Sequence, residues 1–172
     1  MANEPRATLR SRNNDNNRSG GHTGGYGKHS STDNHSNHRE QTPAAVLDTN
    51  AIQLETPIAS LFDTVADNTA RVIANPVKRE HNKSTQLRGF YDEILMWEQK
   101  TRNMNQEQFD ELLPLIRMIN AKVAYAKGRG LVDQNFFDLI RHCLHQVKSP
   151  ATMRNCKLFL EAFMGFFKVY GK

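Results

Sequence analysis

From Ile58 to Tyr170 the apolar residues recur every three or four positions, and no segment sustains an alternation of period two. That spacing stacks side chains on one face of a helix, which restricts the chain to an all-α architecture. Caps and breakers divide the run into five segments, or six if one is broken by a proline. The first is expected to open at Thr56-Pro57, to carry Ile58, Leu61, Phe62, Val65, Val72 and Ile73, and to stop at Asn75-Pro76. A polar, basic linker follows over residues 77–84, and a second helix capped by Ser84 or Thr85 buries Leu87, Phe90, Tyr91, Ile94 and Trp97.

The third helix starts at Asn105, with Gln108 three residues on as its capping-box partner. Its apolar face is Phe109, Leu112, Leu113, Ile116, Ile119, Val123 and Ala124, with Pro114 predicting a kink or break just before it. Gly128 and Gly130 supply the stop and turn. A fourth helix runs from an Asp133 cap and buries Phe136, Phe137, Ile140, Leu144 and Val147. A fifth starts at Ser149-Pro150 and buries Met153, Cys156, Phe159, Leu160, Phe163, Phe167 and Tyr170. The expected fold is a bundle of five to six helices over residues 51–172.

Residues 1–50 are different in kind. Nine of the fifty are apolar, five of them Met or Ala, and the stretch from Ser19 to Gly27 is low in complexity. Such a segment cannot bury enough surface to offset its ordering entropy, so it is expected to be a disordered tail. Its four histidines, His22, His29, His35 and His38, are irregularly spaced and have no partner cysteine.

The most apolar run, Leu158 to Tyr170, is 13 residues long and carries Glu161 and Lys168, which is too short and too charged for a membrane span. No apolar stretch follows Met1, and the two cysteines, Cys143 and Cys156, suit reduced thiols. These features predict a cytoplasmic protein with no membrane partner.

Charge is distributed unevenly. Residues 1–50 carry +1, residues 51–112 carry −3 and residues 113–172 carry +7, within a total of +5. A basic half fits a polyanion partner or an acidic protein surface. Arg117, Lys122, Lys127 and Arg129 surround the end of the third helix, with Tyr125 between them. Lys78, Arg79, Lys83 and Arg88 form a second cluster at the start of the second helix, and Arg141 lies on the fourth. Point charges and guanidinium forks of this kind suit phosphate. Tyr125 also fits an ordinary bundle-edge aromatic, and Arg129 a cation that caps helix carbonyls.

Catalytic signals are thin. There is no phosphate loop, nucleophile elbow or HExxH pattern. His142 and His145 stand at i, i+3, but two imidazoles are too few for zinc, and Cys143 between them falls on the apolar stripe. The adjacent pairs Asp92-Glu93 and Asp110-Glu111 point to different sides of a helix. No enzyme activity, metal or cofactor is implied.

Three stretches resemble a known family. Ser84-Thr-Gln-Leu87-Arg88-Gly-Phe90-Tyr91 is similar to the "T-x-L-R" helix start of the small subunit of type III-A (Csm) CRISPR effector complexes. Ile119 to Arg129 resembles its "K-x-x-Y-x-x-G-R" helix end, and Phe159 to Tyr170 its aromatic "F-x-E-A-x-x-x-Y" helix. The resemblance covers about residues 83–172 in the family's order; the family's acidic position after Gly-Arg is Gly130 here.

It implies a non-catalytic RNA-binding scaffold subunit of an antiviral ribonucleoprotein. Several copies would stack along the duplex of guide RNA and target RNA, beside the backbone subunit and the large subunit. Cleavage and signalling chemistry belong to those other subunits. A guide-directed complex accepts any target, so the expected contacts are to phosphate without sequence preference. They fall on Lys83, Arg88, Lys122, Lys127 and Arg129 with Tyr125 in support, and secondarily on Arg117 and Arg141. The competing expectation is a protein–protein adaptor whose basic face docks an acidic partner.

Overall fold

The structure is a computed structural model and describes residues 45–171. The tail expected over residues 1–50 lies outside the described residues up to position 44. The described part is all-helical: α1 (Thr64–Ile73), α2 (Ser84–Thr101), α3 (Gln106–Arg117), α4 (Ile119–Gly128), α5 (Gln134–Gln146) and α6 (Pro150–Tyr170), with a 3-10 turn at Ala59–Phe62 before α1. No strand occurs among the described residues.

The 21-residue α6 is the centre of the bundle and packs against α1, α2 and α5, while α4 packs on α5 and α3 follows as an outer arm. Its start follows from sequence. Ser149 and Thr152 form a reciprocal capping box, and Pro150 occupies the first turn, where its missing N–H costs nothing. Met153, Cys156, Phe159, Leu160, Phe163 and Phe167 share one face and are all buried, whereas Tyr170, expected to be buried with them, is only half-buried because its hydroxyl reaches out to Asp67. Cys143 on α5 and Cys156 on α6 are both free and buried; the Cys143 thiol is pushed well up by its hydrogen bond with Cys156 and by burial. The far end of α6 is tied to α1 through the Tyr170 hydroxyl, which donates to Asp67 (2.6 Å), with Arg71 over the tyrosine ring (4.6 Å).

Three expected boundaries move. Ile58 is extended (φ −108°, ψ 162°) and exposed, so Thr56-Pro57 does not open a continuous helix. The chain bends through residues 54–56, and helical turns begin only at Ala59. Ser84 lies within α2; extended Lys83 takes the cap position, and no side chain caps this helix. Pro114 lies inside α3 on its exposed side, and the joint falls later, at Met118, whose N–H bonds the Leu115 carbonyl (3.1 Å) in a tightened turn. The same displacement turns Ala124 outward and buries Ala126 in its place.

Two features outside the helical pattern hold the bundle together. The first is a strap, residues 45–55, laid across α5 and α6. Asn135 accepts from Leu47 N–H (3.1 Å) and donates to the Ala45 carbonyl (2.9 Å). Gln146 likewise accepts from Leu54 N–H (2.8 Å) and donates to the Ile52 carbonyl (2.8 Å). Each carboxamide thus presents the donor and acceptor that a neighbouring strand would offer to residues i and i+2. Asn155 donates to the Leu54 carbonyl (2.8 Å), and Ile52 and Leu54 are fully buried. Packing therefore reaches back to Ala45, N-terminal to the boundary at residue 51.

The second is Asn82, 4% exposed and in the left-handed region (φ 55°). Its side chain donates to the Ile73 carbonyl (3.0 Å) at the end of α1 and accepts from Asp133 N–H (3.0 Å) at the start of α5. Its own N–H donates to the Leu131 carbonyl (3.0 Å). An Asn82→Ala variant leaves a carbonyl and an N–H without partners and strains the left-handed backbone. It should lose about 2–4 kcal/mol in urea unfolding at unchanged m-value, at about 1–3 kcal/mol per orphaned group. A loss under about 0.5 kcal/mol would show that the polar tie is dispensable.

Candidate nucleic-acid interface

The basic residues singled out by sequence fall into three places, and Asn82 explains the first. It holds the linker before α2 against the turn between α4 and α5, so that Lys83 neighbours the segment of Lys127 and Arg129. That turn has its own logic. Leu131 N–H bonds the Ala126 carbonyl (2.9 Å) and Gly130 N–H the Lys127 carbonyl (2.9 Å), the paired pattern of a helix ending through a left-handed residue. Gly130 takes that position with φ 69°, a conformation that a β-carbon would strain. Asp133 then caps α5 by accepting from Phe136 N–H (2.9 Å).

Lys127 hydrogen-bonds the Gln134 side chain across this turn and sits 4.9 Å from the Phe137 ring centroid. Arg129 does not cap carbonyls; its guanidinium lies 5.7 Å from the centroid of the Tyr125 ring. Tyr125 is 67% exposed.

The second place comprises two ion pairs, one between α2 and α4 and one within α2. Lys122 is paired with Glu93 (2.6 Å) and Arg88 with Asp92 (2.8 Å), with the Arg88 guanidinium also over the Tyr91 ring. These two candidates thus carry intramolecular carboxylate partners, which the sequence reading had not assigned. The pairs are exposed on their cationic side, and such pairs are worth about 0–1 kcal/mol, so an incoming phosphate can replace the carboxylate.

Arg117 and Arg141 belong to a third place. They line a cleft of about 490 Å³ between the strap, the α3–α4 joint and α5, together with Asn120, His142 and His145. The Asn120 side-chain oxygen is buried there without a partner. His142 Nε2 lies 2.9 Å from the Ile52 carbonyl and 2.8 Å from the Gln146 amide nitrogen, so it braces the strap. Among the described residues no group of three His, Cys, Asp or Glu side chains converges in a way that would hold a metal.

A further groove of about 600 Å³ escaped the sequence reading. Ser84, Thr85, Arg88 and Tyr91 form one wall; Glu161, Met164, Gly165 and Lys168 form the other. Its signal was present, since the α6 residues stand at i, i+3, i+4 and i+7, but Glu161 and Lys168 read there only as interruptions of an apolar run. Glu161 accepts from Lys157 (2.5 Å) and from the Tyr91 hydroxyl (3.4 Å). The Lys157 hydrogen bond holds its carboxyl below the usual glutamate range, while burial pushes the Tyr91 phenol up.

The result is a small, all-helical, basic protein whose exposed cations suit a polyanion. The chain matches the family model described as Csm2 Type III-A over residues 61–172 and belongs to that family. It is therefore a small subunit of the type III-A CRISPR effector complex, in the company of that complex's other subunits. No curated protein and no solved structure gives a match. Among the described residues no helix is long and apolar enough to cross a membrane.

The Glu161 pair yields a check of the electrostatics. A depressed carboxylate contributes stability above its unfolded pKa, near 4.5, and loses it as pH falls through the lower folded value. In a Lys157→Met variant the Glu161 carboxyl should titrate closer to 4.5 by carbon-detected NMR, and stability should fall off less as the solution is acidified below pH 4.5. An unmoved titration would mean that Lys157 is not the cause.

Proposed function

We propose that this chain is a non-catalytic RNA-binding scaffold subunit of the type III-A ribonucleoprotein. Several copies stack along the duplex of guide and target RNA and hold its phosphates without sequence preference. The observation that carries the reading is the exposure of Lys83, Lys122, Lys127 and Arg129 on and around α4, in a chain of this family. Arg88 extends that surface along α2, and Arg117 and Arg141 form a separate, secondary contact in the cleft behind the α3–α4 joint. Point charges and guanidinium groups that project into solvent engage phosphate at any sequence, whereas base-edge readout requires fixed donors and acceptors entering a groove.

Head-to-tail stacking is served by the charge asymmetry. Glu107, Asp110 and Glu111 are exposed on the outer arm α3, while residues 113–172 carry a net +7. The adaptor reading finds its support in the carboxylates that already occupy Lys122 and Arg88, since a surface satisfied by Glu93 and Asp92 is also adapted to acidic protein side chains.

Salt-dependent fluorescence anisotropy separates the two. Neutralising about four to six phosphates gives a log–log salt slope of roughly −3 to −4 on single-stranded RNA. Lys122→Glu with Arg129→Glu should weaken binding equally for unrelated sequences and flatten that slope. A loss confined to one sequence would contradict backbone recognition, and no binding at low salt would favour the adaptor.

A further inference from the structure

We infer that the outer side of α4 is a stacking shelf for an unpaired RNA base, with the ring of Tyr125 as its surface. This rests on the RNA-binding reading above and adds to its phosphate contacts a place for one unpaired nucleotide.

The argument starts from the positions around the tyrosine. On a helix the neighbours of a side chain are three and four residues away. On one flank of Tyr125 these are Lys122 and Arg129, and on the other Ala121 and Gly128. All four are exposed, as is Ala124. The first pair supplies positive charge, with the Arg129 guanidinium 5.7 Å from the ring centroid. The second pair has no bulk to cover the ring, and a β-carbon built on Gly128 would meet nothing within 4 Å.

Tyr125 is 67% exposed, while Phe109, Phe136, Phe159 and Phe163, the largest core side chains, are sealed. A tyrosine left this open adds little to the fold and leaves an apolar surface wet. Bounded by cations, that surface is complementary to a nucleotide: a flat base for the ring and a phosphate for Lys122 or Arg129.

The chemistry also selects the strand state. Bases inside an A-form duplex are stacked on one another and offer no face, so a ring that stacks can only take an unpaired base or a strand end. Every base has a π-face, so the shelf keeps the sequence tolerance that backbone contacts imply.

The test uses the full chain, a fluorescein-labelled single-stranded RNA of mixed sequence, and a fully paired RNA of equal length. Tyr125→Ala should weaken single-strand binding by about 5- to 150-fold, the range for losing one stacked base, with the duplex affinity and the salt slope unchanged. Tyr125→Phe should bind as the wild type does, and 2-aminopurine in the single strand should be quenched by the wild type and by Tyr125→Phe but not by Tyr125→Ala. The variants should melt with the wild type, since the ring is not core.

Wild-type affinity in Tyr125→Ala, while Lys122→Glu with Arg129→Glu remains crippled, would overturn the shelf and leave backbone recognition standing. Equal weakening on single strand and duplex would also overturn it, because a ring that only shapes the surface acts on both. Failure of the wild type to bind any RNA at low salt would overturn both readings.

Discussion

The arrangement of this bundle depends on one buried carboxamide. The turn between α4 and α5 lies some fifty residues from the end of α1 and the linker before α2, and a polar tie fixes how they meet. Asn82 joins them by occupying the left-handed region and spending its donor on Ile73 and its acceptor on Asp133. A buried amide must satisfy both ends, so the geometry is determined much more narrowly than hydrophobic contact alone would fix it. The consequence reaches the surface. The same tie seats Lys83 beside the turn that carries Lys127 and Arg129, and so creates one basic region from two clusters forty residues apart.

The strap applies the same physics in a different form. An extended segment outside a sheet has unpaired backbone groups, and the helices beneath it have none to give. Asn135, Gln146 and Asn155 supply them from side chains, which lets Ile52 and Leu54 enter the core without orphaned amides. The family match begins at residue 61, after the strap.

What was legible in the sequence follows from which forces are local. The capping box at Asn105, the helix start at Ser149-Pro150, the Asp133 cap and the α6 stripe as far as Phe167 are read within a turn or two of chain, and all four hold. The misplaced boundaries at Thr56-Pro57, Ser84 and Pro114 lie where the backbone answers to distant partners: the strap before α1, Asn82 before α2, and the packing of α4 on α5 beyond α3. Asn82, Asn135 and Gln146 look like any exposed polar residue until their partners are known. The candidate interface divides the same way. The cations could be counted along the chain, but the partners of Lys122 and Arg88 are Glu93, on another helix, and Asp92, one turn along, whose role no composition sum reveals.

Those carboxylates bear on how a phosphate-reading surface is built. An exposed ion pair contributes about 0–1 kcal/mol, close to what a single exposed phosphate contact offers, so exchanging Glu93 for a phosphate is nearly neutral. Net gain then comes from counterions released by the nucleic acid and from the number of contacts made at once. On the proposed RNA-binding reading, such a surface would bind weakly at each cation and strongly only along a continuous strand, as a component that accepts any sequence requires. Lys83 and Arg129, which have no ion-pair partner among the described residues, would then set the initial attraction. On the same reading the paired cations would contribute once the strand lies close enough to displace Glu93 and Asp92.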